Sequence, residues 1–227
     1  MKEFVENLLP YERNLFFLLN GSDSAMLDSL MYTISMTKIW FPLYLFVLFV
    51  VFLKTPVRQS IIVALVFILM VTLCDQIAAS VARPFFERFR PCHHPDFMEF
   101  VQLVNDRCGG RYGFFSAHAT NVFGFATLLS LVFRHRWVVL VTFVWATAIA
   151  YSRIYLGVHF VTDVLAGMIA GTLISLTLYY ALLVPLRKKM LKLRKSETYK
   201  MYSPQHAKVL WIGFAVYFAG VLIFSLF

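Results

Sequence analysis

Long, nearly uninterrupted apolar runs constrain this chain more than any other feature. A bilayer core of about 30 Å needs about 20 apolar residues in a helix, and such runs recur near Leu27 to Leu53, Ser60 to Ser80, His118 to Phe133, Trp137 to Arg153, His159 to Leu186 and Val209 to Phe227. Of 227 residues, 60% are hydrophobic and 15% charged, too apolar a balance for a soluble domain of this size. The expectation is an all-α fold: a polytopic membrane six-helix bundle spanning 1–227 as a single domain.

Residues 1–26 are not expected to be a secretory signal, because Glu3 and Glu6 spoil the basic n-region. Phe4, Leu8, Leu9, Leu15, Phe16, Leu18 and Leu19 alternate with Glu6, Glu12 and Arg13, and Pro10 is expected to break the segment. Two readings fit this pattern: a short interfacial helix or a cap packed on the bundle.

The formal charge of +9 suggests nucleic acid until its placement is considered. Lys54 and Arg58 follow the first span, Arg134 and Arg136 follow the third, and Arg187, Lys188, Lys189, Lys192, Arg194, Lys195, Lys200 and Lys208 follow the fifth. All three loops share one side. The positive-inside rule makes that side cytoplasmic, so the charge reports topology, and no nucleic-acid partner is expected. The N-terminal segment, the loop of 81–117, the turn at Gly157 and the C-terminus then lie outside.

That external loop carries Arg83, Arg88, Arg90, Arg107 and Arg111 where the same rule disfavours them. An anion met outside the cytoplasm would explain their presence. The loop also holds Cys92 and Cys108, for which a disulfide in an oxidising compartment and two free thiols are both open. In the fifth span Gly167 and Gly171, with Ala166 and Ala170, form the small-residue stripe of close helix packing.

Three segments flank the external helix ends: Arg83 to Pro91, Phe115-Ser116-Ala117-His118, and Ser152-Arg153 followed by His159 and Asp163. Phosphoryl transfer spreads charge over equatorial oxygens, so it depends on positioned cations and N–H donors. Arg83, Arg90 and Arg153 can supply planar, permanently charged forks. Ser116 would add a hydroxyl and open a helix whose free N–H groups, including those of Ala117 and His118, face the same anion. The four-residue spacing of His159 and Asp163 places them on one helical face, where the carboxylate would hold Nδ1–H and leave Nε2 free to attack phosphorus. His118 would serve as general acid and later activate water. No metal or other cofactor is called for.

The spacing Arg83-x6-Arg90-Pro91, Ser116-x-His118 and Ser152-Arg153-x5-His159-x3-Asp163 resembles the three-part signature of the type 2 phosphatidic acid phosphatase family. Leu19-Asn20-Gly21, Leu27-Asp28 and Trp40-Phe41-Pro42 are similar to the start of bacterial members. The resemblance implies six helices and metal-independent hydrolysis through a phosphohistidine. It also implies His159 as nucleophile, Asp163 as its partner, His118 as acid, and Arg83, Arg90, Ser116, Ala117 and Arg153 around the phosphate. This chain has Arg83 where the family usually has Lys, and Phe115 and Ala117 where it usually has Pro and Gly.

The implied partners are a membrane lipid phosphate and the bilayer, with the site facing the periplasm of a bacterial inner membrane. Undecaprenyl diphosphate and lipid A lead as substrates; phosphatidylglycerol phosphate and phosphatidic acid are alternatives. The oligomeric state is left open. A transporter is the main non-enzymatic reading, but its ionisable groups would line a path across the bilayer, and here they crowd one face. A protein with a dead site conflicts with intact His118, His159 and Asp163. A metal hydrolase built on Cys92, His93, His94 and His118 lacks the usual ligand spacing. Lys38, deep in the first span, either contacts the headgroup from the external cleft or snorkels to the interface.

Overall fold

The computed structural model describes residues 1–192, 197, 199 and 201–226. Arg194, Lys195, Lys200 and Phe227, which figured in the topology and in the last span, lie outside the described residues.

Nine helices follow one another among the described residues: α1 (Lys2–Glu6), α2 (Leu9–Leu19), α3 (Ala25–Ser35), α4 (Phe41–Phe52), α5 (Val57–Phe86), α6 (Ala117–Phe133), α7 (Arg136–Tyr155), α8 (Val161–Leu191) and α9 (Pro204–Phe224). Four of them, α5, α7, α8 and α9, are each long and apolar enough to cross a membrane. The expected first span is instead α3 and the Thr37–Phe52 stretch, bent by 63°. The break falls at Met36, the 3₁₀ turn Thr37–Trp40 that follows contains Lys38, and Pro42 lies in the first turn of α4. Proline there loses no helical hydrogen bond, and its fixed φ suits a helix start. Helix α6 has 17 residues, about 25 Å at 1.5 Å per residue, and completes six membrane-directed elements with the bent pair.

Helices α5 and α8 each widen into a π-helical stretch, at Ile77–Ala82 and Leu178–Leu183. Both stretches run up to a proline, Pro84 and Pro185. A proline ring lacks the N–H and crowds the carbonyl four residues back, and widening the preceding turns relieves that conflict without breaking the helix. The stretch in α5 sets the direction in which Arg83 leaves the bundle.

Helix α6 sits at the centre, against α5, α7 and α8. The small-residue stripe makes its contact with α8 unusually close: a Cβ on Gly167 would lie 2.6 Å from the Ser116 carbonyl, and one on Gly171 would meet the Thr120 backbone. No larger residue fits there. Ser175 Oγ donates to the Gly124 carbonyl at 2.7 Å, and Ser116 N–H donates to the Asp163 carbonyl at 3.0 Å. The start of α6 is thereby fixed to the start of α8.

Between α5 and α6 the two arms of the long loop pair at Phe89 and Tyr112. Arg90 N–H donates to the Arg111 carbonyl at 3.1 Å and Gly113 N–H to the Arg88 carbonyl at 2.9 Å. Alternation along an extended segment sends Arg88 and Arg90 to one face and Phe89 to the other. Cys92 and Cys108 are joined in a disulfide, with Cα atoms 6.0 Å apart, closing the loop beyond this pairing.

The N-terminal segment packs as a cap. Pro10 does not break it, because it occupies the first turn of α2, where its missing N–H has no helical partner to lose; the break falls at Asn7 and Leu8. Val5 and Phe16 are fully buried, and Phe16 packs on Phe160 at 5.2 Å between ring centroids.

Candidate active site

A cavity of about 800 Å³ opens between α4, α5, α6 and α7. One end is lined by Arg83, Arg90, Ala117, His118, Arg153 and His159, and the rest by apolar residues such as Val47, Leu48, Phe67, Ile68 and Val122. A charged head over an apolar shaft is the shape of a lipid site.

Each cation is placed by a different element. Arg83 follows the π-helical stretch of α5, Arg90 comes from the paired loop, and Arg153 from the last turn of α7. Among the described residues no carboxylate oxygen lies within 4.0 Å of any of the three. Arg90 donates to neutral acceptors: the Gly110 carbonyl at 2.6 Å, the Val158 carbonyl at 2.8 Å and His159 Nε2 at 3.0 Å. Arg153 donates to Ser35 Oγ. The Nε atoms of Arg83 and Arg153 are buried without a partner. Burial first, and the charge of Arg83 second, lower the Arg90 guanidinium to about 10, so it is still cationic at neutral pH. Three mutually repelling guanidiniums with no carboxylate in contact make an environment suited to an anion.

The approach of His159 to Arg153 comes from the turn after α7. Gly157 takes φ +69°, the left-handed conformation of a helix C-cap, and the Arg153 carbonyl then accepts from Val158 and His159 N–H, both at 3.2 Å. Helix α8 begins at Val161, so His159 lies in the turn and does not share a helical face with Asp163 as expected. The contact survives by another route. Asp163 is in the first turn, where Oδ2 accepts from Phe160 N–H at 3.0 Å and lies 3.4 Å from His159 Nδ1. Since Arg90 can only donate, Nε2 of His159 is the acceptor and Nδ1 carries the proton. Burial, then the charges of Arg90, Arg153 and Arg83, push His159 well below the usual histidine range, leaving a neutral imidazole.

His118 faces the cavity from the first turn of α6, with Nε2 3.5 Å from Thr37 Oγ1. Ser116 is the N-cap of α6, as expected, but its Oγ accepts from Ala119 N–H at 3.4 Å, and it is fully buried beside the cavity rather than in its lining. Ala117 lines the cavity at the position where helical N–H groups are free. Lys38 is exposed and outside the lining.

The larger surprise is Arg88, which was grouped with the loop cations awaiting an external anion. It is fully buried and already paired: Nη1 donates to Asp163 Oδ1 at 2.7 Å and to Thr162 Oγ1 at 2.7 Å, and Nη2 to Glu12 Oε1. Glu12 also accepts from Thr162 N–H at 2.7 Å. The network Glu12–Arg88–Asp163–His159 therefore ties the N-terminal cap to the imidazole. Gly113 lies against it, where an added Cβ would come within 3.1 Å of Arg90 Cγ and 3.2 Å of Asp163 Oδ2. A mixed polar pattern in residues 1–26 gave no sign of this link, which joins positions 76 apart.

Cys92, His93 and Cys108 also come together, with their donor atoms within 4.8 Å. Both sulfurs are consumed by the disulfide, and the group lies apart from the cavity lining.

A helical membrane fold with an unpaired arginine seat beside two histidines defines the class as a phosphate-handling membrane protein. Residues 61–185 match the PAP2 superfamily, and the chain belongs to that family of lipid phosphatases. It is 39% identical over 175 residues to a lipid A 4'-phosphatase of Porphyromonas gingivalis, covering 77% of this chain and 74% of that one. A lipid A 4'-phosphatase of Bacteroides thetaiotaomicron is 33% identical over 168 residues, covering 74% and 75%. The crystal structure of Aquifex aeolicus LpxE superimposes with a TM-score of 0.57 at 26% identity, over 75% of this chain and 96% of that one. The protein is accordingly a multi-pass membrane enzyme that acts on a lipid phosphate.

Proposed function

We propose that this enzyme removes the 4'-phosphate of lipid A, by way of a phosphohistidine, at the periplasmic face of a bacterial inner membrane. The observation that carries the reading is that Arg83, Arg90 and Arg153, none with a carboxylate in contact, line one cavity with His159, Arg90 lying against its Nε2. The phosphate displaces Arg90 from Nε2 and takes up the three guanidiniums. Nε2 attacks phosphorus, the P–O bond to the lipid breaks, and His118 donates a proton to the departing oxygen. Water, deprotonated by His118, then cleaves the P–N bond and releases inorganic phosphate. Asp163 holds Nδ1–H throughout and stabilises the imidazolium formed on attack. Glu12 and Arg88 hold Asp163 in place.

A seat of nitrogen cations repels a divalent metal and neutralises phosphate by itself, which favours catalysis without one. The basic loops on the opposite side support the periplasmic placement. Support for lipid A over undecaprenyl diphosphate comes from the two relatives above.

The test is phosphate release by purified enzyme from lipid A, undecaprenyl diphosphate, phosphatidylglycerol phosphate and phosphatidic acid, each with EDTA present. The expected result is highest kcat/KM on lipid A, unaffected by chelator. Preference for another lipid would reassign the substrate, and a divalent-metal requirement would overturn the mechanism.

A further inference from the structure

Below the phosphate seat the cavity wall is not wholly apolar. Asp75 and Thr72 on α5 and Asn121 on α6 line it among Phe67, Ile68 and Val71. Asp75 lies eight residues before Arg83, about 12 Å deeper along the helix, and Asn121 lies four residues after Ala117, about 6 Å deeper. The three form a polar ledge inside the hydrocarbon part of the site.

Their hydrogen-bonding capacity is unspent. Among the described residues Asp75 accepts no hydrogen bond and has no cation within 4.0 Å, although it is half-buried. The Oδ1 atom of Asn121 is buried with no partner. Thr72 uses its proton on the Ile68 carbonyl at 2.9 Å, which leaves its oxygen as an acceptor. An unpartnered carboxylate within a membrane span is costly and marks a functional position by default. If Asp75 served only as counter-charge to Arg83, direct pairing would be the effective arrangement, and that pairing is absent.

We propose that Asp75, Asn121 and Thr72 form a specificity subsite that accepts hydrogen bonds from hydroxyl or amide N–H groups of the lipid, about 6 to 17 Å from the phosphate, as estimated from the helical rise. The inference rests on the lipid phosphatase reading above and adds to it the chemical feature that the enzyme selects. Amide-linked, hydroxylated acyl chains on a phosphorylated sugar carry such donors at that depth. A polyprenyl chain or a dialkylglycerol phosphate carries none, and would leave the ledge dehydrated and unpaired, the arrangement by which a polar site rejects a substrate lacking its donor.

The experiment compares kcat/KM on lipid A with that on a dialkylglycerol phosphate, for wild type, Asp75→Leu and Asn121→Leu, with thermal unfolding in detergent to confirm folding. The ratio in favour of lipid A should fall by about 10- to 100-fold in Asp75→Leu, the range expected for hydrogen bonds to a charged group, and by less in Asn121→Leu. Equal losses on both lipids would show Asp75 to be a counter-charge only, and an unchanged ratio would show the ledge to be idle. Either overturns the inference. Should Asp75→Leu not fold, an unchanged ratio in Asn121→Leu overturns it alone. Wild-type inactivity on both lipids would instead overturn the functional reading.

Discussion

Arg88 and Arg90 are two residues apart, point to the same face of the same extended segment and are both buried, yet their surroundings are opposite. Arg88 lies between Glu12 and Asp163, its charge fully matched by carboxylates. Arg90 has two carbonyls and an imidazole, none of which carries a negative charge. A buried guanidinium held by acids belongs to the protein's own framework; one held by neutral acceptors is available to an incoming anion. On the proposed mechanism the same residue type serves support on one side of His159 and substrate on the other.

Removing each cation should separate these roles, and the largest effect falls on stability. Arg88→Met leaves Glu12 and Asp163 facing each other in a dry site, and should destabilise the fold by about 3 to 5 kcal/mol, read as a lowered Tm in detergent. Arg90→Met removes a charge that Arg83 repels, together with its hydrogen bonds to neutral acceptors. Its Tm should fall far less than that of Arg88→Met, while kcat/KM falls by at least about two orders of magnitude. Similar losses of stability in both variants would erase the distinction.

A smaller effect sharpens the comparison further. Glu12→Gln keeps acceptor capacity toward Thr162 but removes one of the two charges on Arg88, so Arg88 should draw Asp163 more strongly away from His159. A fall in kcat of about tenfold with little change in KM is expected. An effect on KM alone would place Glu12 with the substrate instead of behind the imidazole.

The contrast between the two arginines also marks how far the sequence could be read. The spans were legible because a bilayer demands about 20 apolar residues, and the gathering of Arg83, Arg90, Arg153, His118 and His159 at one cavity, with Asp163 behind His159, was expected from short-range spacing and family resemblance. Arg88 was visible only as one more loop cation. Its partner Glu12 sits in a segment whose mixed pattern suits an interface as well as a packed cap, and no local rule links the two. Gly113 was missed for the same reason, since its small size matters only where two distant segments meet. The start of α8 was placed two residues early, because His159 and Phe160 continue an apolar run even though Asp163 caps the helix behind them. Lys38 was read in the middle of a straight span, whereas the 63° bend brings it to an exposed turn.

The central claim is that Nε2 of His159, held by the Glu12–Arg88–Asp163 network and faced by unpaired arginines, forms a bond to phosphorus. It is tested most directly by quenching enzyme during turnover of a phosphate-labelled lipid into alkali, which preserves phosphohistidine, and mapping the label by peptide mass spectrometry. The account predicts one phosphoryl group on His159, lost on acid treatment and absent from His159→Ala. Label on a different residue, or none on any residue while phosphate is released at the full steady-state rate, would contradict it.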